Sequence, residues 1–442
     1  MPSKTAKSKE LYERALKVMI EGGSSPSRGP ANYGDYPLFI QRAKGSRIFD
    51  LDGNEYIDWM MAYGALPLGH AHPSIVAAVE EAVRTGAHFA AATEVEVEVA
   101  EILQKIIPSA ERVCFANTGT EAAMAAIRLA RGYTGKPKFI KFEGHYHGWY
   151  DDFLVNAHPH LTTSLGYRND PIKIAESSGL NRHSLEDTIV VPWNDLRAVE
   201  RVIETHRGQI AAIITEGVMA NMGIILPEPG YLWGLFELAH KNGILFILDE
   251  TVTGFRVAPG GCQEYFGIKP DLSTFGKAMG CGFPVAAFAG RQEIMEALAW
   301  GGVLHHGTQN ASRAGLFAAR ASLLELTRNE GQVFAGLWSL AGKLCAGLRR
   351  LFQESGVEAV VQNLGPMLQI LFTGQPAIRD YREFCASVDR KKYQRFALAL
   401  FDEGIYMSPS AALHSVVTTA HSEEDVGITL EAVGKVLKNG KF

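Results

Sequence analysis

The stretch "DLSTFGKAMGCGFPVAAFAG" (271–290) carries one charge after Asp271, the amine of Lys277. Apolar and small residues surround it, with glycines at Gly276, Gly280 and Gly282. Burying an ammonium is costly or lowers its pKa, so a lysine in such company suits covalent chemistry as a nucleophile. Other polar residues close apolar runs. "FANTGTEAAMAAIRLAR" sets Asn117-Thr118-Gly119-Thr120 ahead of a good helix. Two readings are open there: a capping box of Thr118 with Glu121, or an anion site where N–H groups and hydroxyls at a helix N-terminus hold a phosphate. Asp249 ends "ILFILD" and Glu216 ends "IAAIITE". Each is either a functional carboxylate at a strand end or a structural one, Asp249 as a helix cap or an ion pair with Arg256. In "FEGHYHGWYDD" Tyr146 stands between His145 and His147.

Three HxH pairs (His70/His72, His145/His147, His158/His160) raise the question of a metal. Paired carboxylates or thiols at ligand spacing are missing, so no metal is expected, and His147 is read as a hydrogen-bonding or packing residue. Neither GxGxxG nor GxxxxGK[ST] occurs, leaving dinucleotide and P-loop readings without support. Taken together, the remaining features meet the needs of pyridoxal phosphate. A helix N-terminus suits the phosphate, an aromatic suits the ring face, and a strand-end carboxylate pairs with the pyridinium nitrogen. A lysine forms the Schiff base with the aldehyde.

These residues need a scaffold that brings them together. "RVCFAN", "KFIKF", "IAAIITEG", "ILFILDE" and "VAAFAG" are short, mostly apolar runs between helical segments, as expected of strands buried on both faces. A central, mainly parallel α/β sheet follows, with ligands beyond the carboxyl ends of its strands. "SRIFDLDGNEYID" reads as two strands around an Asp-Gly turn. "ATEVEVEVAEILQKII" begins with strand-like alternation, yet Val95, Val99, Ile102, Leu103 and Ile106 share a helical face. Helices over 313–326 and about 331–353 lead to a mixed α+β tail. The expected division is an N-terminal segment (1–70) that joins a small C-terminal domain (316–442), and a large cofactor-binding domain (71–315).

The chain has 442 residues, 47% hydrophobic and 21% charged, with a net charge of −5. Those values suit a soluble globular protein and give no basic excess for nucleic acid or an anionic membrane. Five scattered cysteines without a CxxC pair suggest no disulfide framework. The charged N-terminus lacks the apolar core of a secretory signal, so a cytoplasmic location is expected.

Over nearly its whole length the sequence resembles the class III, fold-type I pyridoxal phosphate-dependent aminotransferases, and within them the glutamate-1-semialdehyde 2,1-aminomutases. The motifs that carry this are "SPSRG", "DLDGNEYIDW", "GHAHP", "NTGTEAAMAAIRLAR", "FEGHYHGW", "EGVMANMGIILPEPGYL", "LDETVTGFR", "PDLSTFGKAMGCGFPVAAFAG", "HHGTQNAS" and "SPSAALHSVVTTAHSEED". The resemblance implies a homodimer with shared active sites and a role for each matching residue. Lys277 is the Schiff-base lysine and moves the proton, and Asp249 pairs with the pyridine nitrogen. Thr118, Gly119 and Thr120 hold the phosphate, Tyr146 stacks on the ring, and Glu216 and Asn221 lie near the ring hydroxyl. Thr308 reaches the partner subunit's cofactor. Arg28 falls where the aminomutase binds the substrate carboxylate, and Tyr63 where it has a tryptophan.

Departures shape the functional expectation. Thr251 stands where the family usually has a valine against the ring, and Gly217 replaces a proline. "NAS" follows Gln309 in place of Gly/Ala-Asn-Pro, and Leu413 replaces the aminomutase's glutamate. No Arg or Glu lies between Tyr406 and His421. The leading expectation is therefore an aminotransferase working through pyridoxamine phosphate. It would move an amino group from a β-amino acid held by Arg28, or from an apolar amine beside Leu413 and Tyr63, to a keto or aldehyde acceptor. The alternative is a glutamate-1-semialdehyde 2,1-aminomutase.

Overall fold

The computed structural model describes residues 5–34, 38–159, 165–440 and 442. The chain divides into two compact units. One is Pro73–Phe334 with Ile378–Ala386; the other is Met1–His72 with Ala335–Ala377 and Ser387–Phe442.

The larger unit is built on seven strands: β1 (Arg112–Ala116), β2 (Lys138–Phe142), β3 (Thr188–Val191), β4 (Ile210–Glu216), β5 (Leu245–Asp249), β6 (Leu272–Phe275) and β7 (Ala286–Gly290). Their order across the sheet is β1-β7-β6-β5-β4-β2-β3. Only β7 runs antiparallel to its neighbours, so the sheet is mostly parallel and the protein is α/β, as its apolar runs imply. Every residue of β3, β4, β5, β6 and β7 is buried. β3 ("TIVV") is an additional strand; at four residues directly after the helix Arg182–Asp187 it is too short to stand out by pattern. In β2 the ammonium of Lys141 is fully buried and donates to Phe153 O (3.1 Å) and Val155 O (2.6 Å). Burial lowers its pKa to about 8.

Helix α1 (Gly119–Thr134) packs on β7, β6 and β4. Ala122, Ala123, Ala126 and Ala130 are fully buried on its inner face, and such small side chains let the helix axis approach the sheet closely. The capping box exists: Glu121 N–H donates to Thr118 Oγ1, and Glu121 Oε2 accepts from the N–H groups of Asn117 and Thr118. Gly135, at φ 68°, ends the helix in the left-handed region that suits glycine.

The division differs from the expected one in two places. The cut at 315/316 falls inside the helical stretch α2 (Arg313–Ser355), which breaks only at Arg328–Gly331, where four residues leave helical geometry. The sequence also offers no sign that 378–386 belongs with the larger unit. Its side chains explain the attachment: Arg382 forms a bidentate pair with buried Glu143 (2.8 and 2.9 Å) and donates to the carbonyls of Leu165 and Gly166. Tyr381 OH donates to Pro159 O, and Arg168 pairs with Asp380. A fork-to-carboxylate pair with added carbonyl acceptors satisfies charges that would otherwise be costly to bury.

The smaller unit holds the antiparallel strands Arg47–Asp50 and Glu55–Asp58, with Asp50 Oδ1 accepting from the turn amides of Asp52 and Asn54. A second sheet joins Val360–Leu364, Met367–Leu371 and Ser415–Val416. In the larger unit, Glu94–Ile106 is the expected helix, burying Val95, Val99 and Leu103. No helix among the described residues is long and apolar enough to cross a membrane.

Candidate active site

The carboxyl edge of the sheet is where the polar residues converge. In the register of the parallel strands, Asp249 of β5 lies beside Glu216 of β4 on one side and Thr274 of β6 on the other. Two carboxylates on adjacent strands sit close enough to disfavour joint ionisation, so their surroundings decide which one is charged. Asp249 Oδ1 accepts from Thr251 N–H and from the Thr274 hydroxyl, both at 2.9 Å, and Oδ2 bonds His147 Nδ1 at 2.7 Å. Burial opposes its ionisation, but His147 and then Thr251 outweigh this and hold its carboxyl below the ordinary range. Glu216 receives N–H bonds from Tyr146 (2.9 Å) and Ala220 (3.0 Å). Burial dominates there, with the Asp249 charge adding to it, and its pKa rises to about 8. At neutral pH the pair is one carboxylate and one acid.

This gives a pH-dependent expectation. Between its ordinary value of 4.5 and about 8, folded Glu216 binds more protons than unfolded Glu216. Stability must therefore fall as pH rises through that window, by roughly 1 kcal/mol per pH unit from this group. Glu216→Gln should flatten the decline in melting temperature from pH 5 to 8, while costing some stability at pH 5 because an amide NH2 replaces one acceptor. Parallel curves for both proteins would refute the assignment.

Lys277 follows β6 by two residues, at φ 39°, a left-handed conformation that is strained for a residue with a side chain. Burial lowers its pKa against the opposing pull of Asp249 and Glu216. A larger neutral fraction makes the amine a better nucleophile at neutral pH. Lys277, Asp249, Glu216, Tyr146, Thr251, Thr118, Gly119 and Thr120 all line one cavity of about 190 Å³. Tyr146 is backed by His158, stacked at 5.6 Å.

Residues given a site role by resemblance do not all line it. Asn221 is buried in the turn Ala220–Met222, and Thr308 is exposed, its carbonyl accepting from His88 Nε2; neither lines the cavity. Arg28 ends the turn Pro26–Arg28, Tyr63 lies in Met61–Gly64 with φ 57°, and the Leu413 carbonyl accepts from Gln369 Nε2; all three belong to the smaller unit. The expected alternatives for Asp249 give way to its bonds with His147, Thr251 and Thr274. His147 was legible only as a hydrogen-bonding or packing residue; the structure makes it both a cavity wall and the partner of Asp249. Among the described residues no cluster of His, Cys, Asp or Glu could hold a metal ion; His160 lies outside them.

The cavity matches a phosphorylated pyridine aldehyde in its donor set. The capping box uses Thr118 Oγ1 only as an acceptor, and helix geometry leaves the N–H groups of Gly119 and Thr120 without intrahelical partners. Gly148, at φ 107°, approaches so closely that a Cβ there would lie 2.3 Å from Thr120 Oγ1. An ionised carboxylate and a depressed-pKa amine complete the set.

The family model described as aminotransferase class-III matches residues 29–435. The chain belongs to the class-III aminotransferases. This class-III enzyme is 40% identical, over 98% of its length and 99% of the relative's, to a glutamate-1-semialdehyde 2,1-aminomutase of Thermodesulfovibrio yellowstonii. Its fold is similar to an omega-transaminase from Sphaerobacter thermophilus, with TM-score 0.92, 34% identity and 98% of each chain covered. A solved transaminase with PLP bound is similar too, with TM-score 0.87, 29% identity and 99% of each chain covered.

Proposed function

We propose that this class-III aminotransferase binds pyridoxal 5'-phosphate in the cavity between α1, β5 and β6, and that it exchanges an amino group within one carbon skeleton, as a glutamate-1-semialdehyde 2,1-aminomutase. The chemistry rests on one observation: Lys277, Asp249 and the α1 N-terminus face a single cavity. The intramolecular reading rests on the full-length likeness to the named aminomutase. It thus favours the alternative over transfer between two molecules, which was the leading expectation.

When bound, the cofactor supplies an electron sink that lets a C–H bond beside nitrogen ionise. The chain's own residues do the rest. Lys277 Nζ is the covalent anchor and, when released, carries the proton between carbons. Asp249, fixed by His147 and Thr274, supplies a negative charge to the ring nitrogen, Tyr146 covers a ring face, and Glu216 offers an acid at neutral pH. Gly119, Thr120 and Thr118 hold the phosphate. Arg28, Tyr63 and Leu413 select the substrate, and exposed Thr308 serves a second copy's site in a cytoplasmic homodimer.

A second reading, transamination of an amine or β-amino acid, is favoured by the likeness to the omega-transaminase and by the lack of any Arg or Glu between Tyr406 and His421. Holoenzyme given glutamate-1-semialdehyde and no keto acid separates the two. Many turnovers to the amino-exchanged isomer are expected. Turnover that stops after one equivalent and resumes only with an added keto acid would establish the second reading instead.

A further inference from the structure

Residues 61–64 make one turn of left-handed helix, a conformation in which a side chain crowds its own backbone. Met61, Ala62 and Tyr63 have φ of 45°, 52° and 57°, Gly64 follows at 81°, and the Gly64 N–H donates to Met60 O at 3.0 Å. Three consecutive residues with side chains are costly there; only glycine enters the region freely. Packing offsets part of that cost, since Met61 is fully buried, but Ala62 is exposed and Tyr63 half-buried. Asp58 supplies the rest. Its Oδ1 accepts from the N–H groups of Met60 (2.8 Å) and Met61 (2.9 Å), and its Oδ2 bonds His70 Nε2 at 2.8 Å. The carboxylate is itself buried, where such bonds are strong. Trp59, between Asp58 and the turn, donates its N–H to Tyr406 O and accepts from Val416 N–H. The turn packs against the strand Ser415–Val416, two residues beyond Leu413. Backbone strain that surrounding bonds must hold in place points to a functional constraint.

We propose that Asp58 is a positioning residue for substrate choice: its carboxylate imposes the left-handed turn that sets the direction of Tyr63 beside the segment containing Leu413. The inference rests on the substrate role proposed above for Tyr63 and deepens it. Without the carboxylate, the Met60 and Met61 N–H groups lose their acceptor. Residues 61–63 then relax toward the right-handed or extended regions, and the Tyr63 side chain turns with them.

The test uses full-chain holoenzyme. KM and kcat are measured for whichever of glutamate-1-semialdehyde and a β-amino acid the wild type turns over, with the Kd of pyridoxal 5'-phosphate and the melting temperature. Tyr63→Ala and Asp58→Ala should each raise KM roughly tenfold, the loss of one ordered substrate contact, with a smaller change in kcat and the same cofactor Kd. The double variant should be no worse than Tyr63→Ala, because Asp58 acts through Tyr63. Added to Asp58→Ala, Ala62→Gly should recover most of the lost KM, since glycine takes the left-handed conformation unaided. Asp58→Asn keeps an oxygen for both N–H groups, and its NH2 meets His70 Nε2 in the accepting tautomer, so it should stay within a few-fold of wild type. Ala62→Gly alone should melt no lower than wild type, a result that holds even where Asp58→Ala does not fold. Multiplied KM effects in the double variant, no recovery with Ala62→Gly, or a lower melting temperature for Ala62→Gly alone each overturn the inference. So does an Asp58→Asn as impaired as Asp58→Ala, which would make the charge matter and not the turn. An unchanged KM in Tyr63→Ala would sink the substrate role of Tyr63, and the inference with it.

Discussion

Lys277→Ala should lose turnover by at least about 10²–10⁴-fold, the range associated with a positioned general acid–base, before the lost covalent anchor is counted. The fold should survive, because alanine removes a desolvated amine, keeps a side chain at the same backbone conformation and leaves β6 untouched. A chemical readout accompanies the kinetic one. Borohydride reduction of wild-type holoenzyme should fix the cofactor to the peptide containing Lys277, and the variant should show no such adduct. Lys141 is a demanding internal control. It too is buried, with a pKa lowered to about 8, but its ammonium is bound to two carbonyls and does not line the cavity. A label on Lys141, or one retained in Lys277→Ala, would defeat the assignment.

Asp249→Asn should cost on the order of 10²–10³ in kcat, the usual loss when one preorganised electrostatic group is removed. The asparagine oxygen can keep the bonds from Thr251 N–H and the Thr274 hydroxyl. Its NH2 would meet His147 Nδ1, which can switch to the tautomer that accepts, because burial holds His147 neutral. The melting temperature should therefore move little while the bound cofactor's absorbance titrates at lower pH. A variant within a few-fold of wild type in kcat would show that Asp249 is structural.

The parallel sheet was readable because strands covered on both faces leave nearly unbroken apolar runs, and the polar residue that ends each run then stands out. Lys277, Asp249 and Glu216 were found in this way. Of the two readings at Thr118 the structure shows the capping box, and because that box uses the hydroxyl oxygen only as an acceptor, it leaves an anion site compatible with it. Other features depend on partners far along the chain. Nothing near His147 announces Asp249, and nothing near Arg382 announces Glu143. Lys141 sits in "KFIKF" with an ordinary strand pattern, and its burial becomes tolerable only through the carbonyls of Phe153 and Val155. Substrate choice was read from Arg28, which matches the family, and from Tyr63 and Leu413, which depart from it; only a resemblance makes any of the three visible.

The three-strand row Glu216–Asp249–Thr274 has a consequence for motion. Its spacing is set by ladder hydrogen bonds in the middle of a seven-stranded sheet, not by a loop that can open alone. Local unfolding that separated those side chains would have to break the most deeply buried cooperative unit of the domain. The arrangement of these polar side chains is thereby as durable as the domain itself. Whatever breathing admits substrate must come from elsewhere: from the left-handed turn at Lys277, or from the segments that follow the strands.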